Sequence, residues 1–246
     1  MIYLLIMTLF FIATLVVNWL SNALPLNGQT ISDVSNKIDV LVTPAGYVFS
    51  IWGVIYALVA VWLIILFVRN RKHAFTNKKL AVLFSLTCIF NIGWLLSYHY
   101  EYFIFSNVVM LALLVTLIAI YLSYPAGDSR FGGRLPFSIY LGWITVATIA
   151  NISYTLKWHD VSLGINEVSG TIILLVIAGI IAVVGRYISD DPYFAVVFVW
   201  AIVGIAEANT ADNLVTAAYI IAVVIFLLII VLSFTTKRYT VPRSIQ

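Results

Sequence analysis

The chain has 246 residues, 63% of them hydrophobic and only 9% charged, with a net charge of +3. A water-soluble domain of this length carries about a quarter charged residues, so this chain cannot cover its core with polar surface and lipid must do it. The positive balance reflects short loops between apolar runs, which argues against nucleic acid as a partner, and the single cysteine, Cys88, rules out an intramolecular disulfide.

Eight apolar runs follow in order, at residues 2–20, 47–68, 80–99, 103–124, 137–156, 168–185, 193–208 and 214–234. Most approach the ~20 residues that a helix needs to cross the hydrocarbon core. The run at 193–208 is the shortest. Barrel strands are excluded, because stretches such as 220–232 are apolar on every side whereas a barrel strand alternates. The fold class expected is therefore all-α, a polytopic integral membrane protein with eight transmembrane helices. The first run has no Lys or Arg ahead of it and exceeds the usual signal-peptide core, so it is expected to be a retained helix although Ser21-Asn22-Ala23 loosely suits cleavage.

Charge predicts orientation. With eight spans, Arg69, Arg71, Lys72, Lys78, Lys79, Arg130, Arg134, Arg186, Lys237, Arg238 and Arg243 fall on one side. The other side holds only Lys37 and Lys157 together with seven of the ten acids. Basic residues concentrate in cytoplasmic loops, which predicts both termini in the cytoplasm. The one long loop, residues 21–46, contains Pro25, Gly28 and Pro44-Ala45-Gly46 and is expected to lie over the bundle as a cap. Pro44 stands where a helix could begin. Pro125, Pro136 and Pro192 flank spans rather than interrupting them, so the helices are expected to be continuous, which counts against a coupled transporter with broken helices.

Polar residues inside spans carry the functional information, since lipid offers them no partners. Asn91, Trp94 and Tyr98 share one helix face; Tyr140, Trp143, Ala147 and Asn151 share another; Phe49, Trp52 and Tyr56 a third. Two readings compete. The asparagines could simply bond across helices while Ala147 permits close approach, or the stripes could wall a cavity with flat aromatic faces and amides that orient a ligand. Elsewhere, His99 with Glu101 and His159 with Asp160 are read as interfacial polar residues rather than a metal site, Glu207 beside Asn209 as a carboxylate at the water interface rather than a proton carrier, and Gly204-x3-Ala208 as a helix-packing contact. No nucleophile–base pair, phosphate loop or metal-ligand cluster is visible within the spans.

The run Thr43-Pro44-Ala45-Gly46-Tyr47-Val48-Phe49-Ser50-Ile51-Trp52, followed by Tyr56, resembles the second-helix start of the TspO/MBR family, the tryptophan-rich sensory proteins and the translocator protein. Asn91-Ile92-Gly93-Trp94 is similar to that family's third-helix motif. Leu135-Pro136 through Trp143, then Ala147 and Asn151, is similar to its fifth-helix signature. Ala45 replaces a second proline, Leu95-Leu96-Ser97-Tyr98 departs from the usual sequel to the third-helix Trp, and the cholesterol-type pattern is not met strictly around Tyr154 and Lys157. The resemblance covers residues 1–159 and implies a TspO-like five-helix region, leaving 160–246 as an additional three-helix transmembrane region.

What the resemblance implies is a ligand cavity under the long loop. It would be lined by Trp52, Asn91, Trp94, Tyr140, Trp143, Ala147 and Asn151, with Lys37, Pro44 and Lys157 at its mouth. The function expected is binding of a flat hydrophobic ligand, porphyrin, sterol or isoprenoid-like, for sensing or ligand passage. The alternative is a secondary transporter or permease for a small molecule. Porphyrin breakdown by tryptophan radicals needs little sequence signature, but a non-catalytic protein is the expectation. No cofactor or metal is expected, and a tetrapyrrole is an allowed ligand. The expected partners are a hydrophobic small molecule and membrane lipid, with a homodimer allowed, in a bacterial plasma membrane.

Overall fold

Every described element of the computed structural model is helical, and the structure describes residues 1–24, 26–70, 77–162 and 164–235. Pro25 and the basic residues Arg71, Lys72, Lys237, Arg238 and Arg243 lie outside the described residues. The helices are α1 (Ile2–Ala23), α2 (Ile31–Ser35), α3 (Ile51–Asn70), α4 (Lys78–His99), α5 (Phe103–Tyr121), α6 (Leu135–Trp158), α7 (Glu167–Ser189), α8 (Pro192–Ala208) and α9 (Asp212–Thr235). Among the described residues seven helical segments are long and apolar enough to cross a membrane, while α8 is a shorter apolar helix. The protein is thus a polytopic integral membrane protein. The span count differs from eight only at α8, whose 17 residues sit at the lower limit of about 17–25 for a crossing helix.

α8 is short because polar residues stop it at both ends. Asp191 accepts hydrogen bonds from the Tyr193 and Phe194 backbone amides and Pro192 occupies the first turn. At the other end Asn209 leaves the helix in extended backbone. Pro136 likewise opens α6. Pro44 does not start an α-helix; the chain enters α3 through a 3-10 turn, Gly46–Ser50.

α1, α4, α5, α6 and α3 form a closed ring in that order, each touching the next and α3 returning to α1. α7, α8 and α9 pack mutually and join the ring mainly through α8 against α6. That junction requires Gly142: a Cβ there would stand 2.9 Å from the Phe194 carbonyl oxygen and 3.0 Å from Val197. α6 is therefore covered on two sides, which explains why Phe137, Trp143, Ile144 and Tyr154 are buried. By contrast Val115 of α5, Ile180 of α7 and Phe226 of α9 are half-exposed or more, as expected of faces turned to acyl chains.

The end of the bundle away from the long loop is closed by buried polar groups. The Asp191 carboxylate accepts from Tyr121 at 2.9 Å and from the Ser138 hydroxyl. The Arg134 guanidinium lies 3.5 Å over the Tyr121 ring and donates to the Ser189 and Pro125 carbonyls. These contacts tie α5 and α6 to the α7–α8 turn. Replacing Asp191 by Ala takes the carboxylate acceptor from Tyr121, leaves Ser138 only the Arg134 carbonyl, and removes the α8 cap. We expect a loss of about 3 kcal/mol, read as a lower unfolding temperature in detergent, with Asp191→Asn recovering most of it.

Candidate functional site

The ring encloses a cavity of about 690 Å³ at the end covered by residues 26–50. α3 contributes Trp52 and Tyr56, preceded by Phe49; α4 contributes Trp94, Leu95 and Tyr98; α6 contributes Trp143, Ala147 and Asn151. The three aromatic stripes thus face one space. Spacings of three and four residues place each set on one helix face, and the ring arrangement turns those faces inward.

The aromatic rings form a layered wall. Trp52 stacks on Tyr56 (5.5 Å between centroids, 23° between planes) and on Trp94 (6.4 Å, 26°), and Trp94 leans on Tyr98 (6.0 Å, 32°). Trp143 stands edge-on to this series, perpendicular to Trp52 (85°) and to Phe49 (87°). Near-parallel rings in mutual contact, with a perpendicular indole beside them, form an aromatic wall of the cavity against which a flat molecule can lie. Trp143 is 2% exposed, and its indole Nε1 has no hydrogen-bond partner among the described residues.

The amides behave differently. Asn91 is fully buried behind the wall: its Oδ1 accepts from Asn18 of α1 at 2.9 Å and its Nδ2 donates to the Tyr140 hydroxyl at 3.0 Å. Neither Asn91 nor Tyr140 lines the cavity. Asn151 does line it, yet its Nδ2 donates to Asn107 at 2.6 Å and Ser106 at 3.1 Å, and its Oδ1 accepts from Trp94 at 3.4 Å. Both side chains are committed to helix–helix bonds. Asn18, which sequence reasoning passed over, lines the cavity and closes the α1–α4–α6 chain of amide and hydroxyl groups. An amide within an otherwise apolar first span was the available signal.

The roof is hung on both parts of the bundle. The His99 ring Nε2 lies 2.8 Å from the carbonyls of both Leu26 and Gln29, so it carries the proton and donates to them. The Tyr154 hydroxyl donates to the Val34 carbonyl at 2.6 Å. Pro44 lines the cavity. Lys37 and Lys157 do not: Lys37 pairs with Glu101, and Lys157 pairs with Glu167 and donates to the Asp39 carbonyl. Glu207 accepts from Tyr219 at the exposed margin, away from the cavity. None of the described lining residues is an Asp, Glu, Lys, Arg or His. No group of three metal-ligating side chains occurs among the described residues.

A family model described as TSPO-like protein matches residues 4–232. The chain belongs to the TSPO-like family. The match runs through the five-helix ring and on into the three helices that follow it. No curated protein and no solved structure matches the chain. In this TSPO-like protein the roof, too, rests on ionic contacts that respond to pH. The Lys37 ammonium, then the Gln29 amide, hold the Glu101 carboxyl below its ordinary value of 4.5. A lowered value means that the tie is complete above that ordinary value and is lost as pH falls through the lowered one. The protection factors of the amides at 26–37, exchange rates taken relative to their intrinsic values at each pH, are expected to fall on acidification below pH 4.5, and Glu101→Gln is expected to remove that step from the profile.

Proposed function

We propose that this TSPO-like membrane protein binds a flat, hydrophobic, uncharged ligand in the cavity of the five-helix ring, as a sensor or for ligand passage rather than as an enzyme. The observation that carries this reading is the aromatic wall of Trp52, Trp94 and Trp143, which lines a cavity whose volume falls in the range of about 300–1,000 Å³ typical of small-molecule sites. The buried indole N–H of Trp143 supports it, because a ligand acceptor would relieve an unpaired donor that is otherwise costly.

Electrostatics narrows the ligand class. A carboxylated tetrapyrrole wants cations at the mouth, but Lys37 and Lys157 are already engaged by acids. A neutral macrocycle, sterol or isoprenoid-like molecule drawn from the bilayer suits the lining better. The same argument disfavours a proton-coupled transporter, since the described lining residues include no carboxylate and Glu207 stands apart. By the distribution of basic residues, the roof faces away from the cytoplasm and both termini face it.

The test is quenching of intrinsic tryptophan fluorescence by porphine, a neutral macrocycle, and by a dicarboxylic porphyrin. Porphine is expected to bind roughly tenfold more tightly, and the dicarboxylic compound to gain affinity as salt screens its repulsion. Trp143→Phe is expected to weaken porphine by roughly three- to tenfold, through the smaller aromatic surface left at the wall. Ala147→Phe, which fills the cavity beside Trp143, should abolish binding. Unchanged affinity in both variants would remove the cavity from the function.

A further inference from the structure

α7, α8 and α9 place no side chain in the cavity lining, yet α8 reaches its roof. The roof residues Thr43, Pro44 and Gly46 line the cavity, as does Phe49 just beyond them. The stretch they belong to, residues 41–48, is held by α8 and the residue that ends it. The Ala45 amide donates to the Gly204 carbonyl at 2.9 Å. The Trp200 indole donates to the Val48 carbonyl at 3.2 Å, and its ring meets Tyr47 edge-on at 5.3 Å. The Asn209 amide donates to the Leu41 carbonyl at 2.9 Å. Gly204 has no room for a side chain: a Cβ would lie 2.1 Å from Val48 Cγ2 and 3.4 Å from Pro44 Cβ. Val42 and Val48 are buried beneath these contacts.

The front of the roof, residues 26–39, is tied instead to the five-helix ring, through His99, Tyr154 and Lys157 and through Glu101 at the end of α4. The two halves therefore rest on different frames. Separate frames make their displacement separable, because loosening one set of hydrogen bonds leaves the other intact.

We propose that α8 is a functional part of the ligand site. Trp200, Gly204 and Asn209 are positioning residues that hold residues 41–48 over the cavity and so set how fast a ligand leaves it. The release part of this proposal rests on the cavity being a ligand site; the bracing part does not. It also gives the helices after residue 160 a task at the cavity that they do not line.

The experiment uses the full chain in lipid nanodiscs, in a Cys88→Ala background, with a reporter cysteine introduced as Thr43→Cys in the rear half of the roof or as Ser35→Cys in the front half. Maleimide labelling rates and the rate of porphine release are measured with and without Asn209→Ala or Trp200→Phe, each of which deletes one donor, and with Gly204→Ala as the steric variant. Each donor deletion is expected to speed labelling at position 43 and porphine release by roughly three- to tenfold, with labelling at position 35 unchanged. Conserved rates at position 43 in both donor deletions would overturn the proposal. So would equal acceleration at position 35, which would mean general loosening. Faster labelling at position 43 in a protein that does not bind porphine would sustain the bracing and remove only the ligand reading.

Discussion

A polar side chain inside a bilayer must find its partner within the protein, because the acyl chains offer none. That constraint organises this molecule. Asn18, Asn91 and Tyr140 form one chain of hydrogen bonds from α1 through α4 to α6. Trp94, Asn151, Ser106, Asn107 and Thr155 form another from α4 through α6 to α5. Each bond of this kind contributes only about 0.6–2 kcal/mol, but together they set which faces of the ring helices meet. The aromatic residues one turn away on the same faces are thereby turned toward a common space. The cavity persists because the hydrogen-bonded layer behind it keeps the helices from closing onto the indoles.

α6 shows why a channel-like or fully solid bundle is not the outcome. It carries Ser138, Tyr140, Trp143, Ala147 and Asn151 along one length, flanked by α3 and α5 in the ring and by α8 outside. Large and small residues alternate on its inner side, so Trp143 walls the cavity while Ala147 leaves space beside it. Gly142 does the reverse on the outer side, letting the backbone of α8 approach. The same helix is thus open toward the cavity and closed toward the three helices that follow.

How much of this could be read from residue order depends on which groups make the contacts. The aromatic stripes were legible because three- and four-residue spacing maps directly onto a helix face, and the motifs around Trp52, Trp94 and Trp143 marked the family. The role of the asparagines was less legible. Asn91 and Asn151 stood out as intramembrane amides, but a spacing pattern does not tell whether an amide points into a cavity or into the next helix; Asn91 and Tyr140 do the latter. The roof was legible as a long polar loop but not in its fastening, because its acceptors are the backbone carbonyls of Leu26, Gln29, Val34 and Leu41, and every residue has one. Gly204 illustrates a third limit. A small residue signals close approach, which sequence reasoning assigned to a neighbouring helix; the structure puts Pro44 and Val48 there instead.

The charge distribution completes the physical picture. The roof end carries Lys37 and Lys157, and both are held by carboxylates, so their charge is spent in fastening loops rather than in attracting an anion. Arg134 and Arg186 are buried at the opposite end, Arg134 donating to the Pro125 and Ser189 carbonyls and Arg186 to the Asp190 carboxylate and the Ser233 hydroxyl of α9. Cations at both ends therefore act as ties, and the described residues that line the cavity are aromatic, aliphatic or neutral and polar. In a medium of low dielectric such a space discriminates by charge more sharply than by shape, since an ion entering it would lose its hydration with no opposite charge to replace it. On the proposed reading shape then selects among neutral molecules, and the aromatic wall of Trp52, Trp94 and Trp143 favours one that is flat.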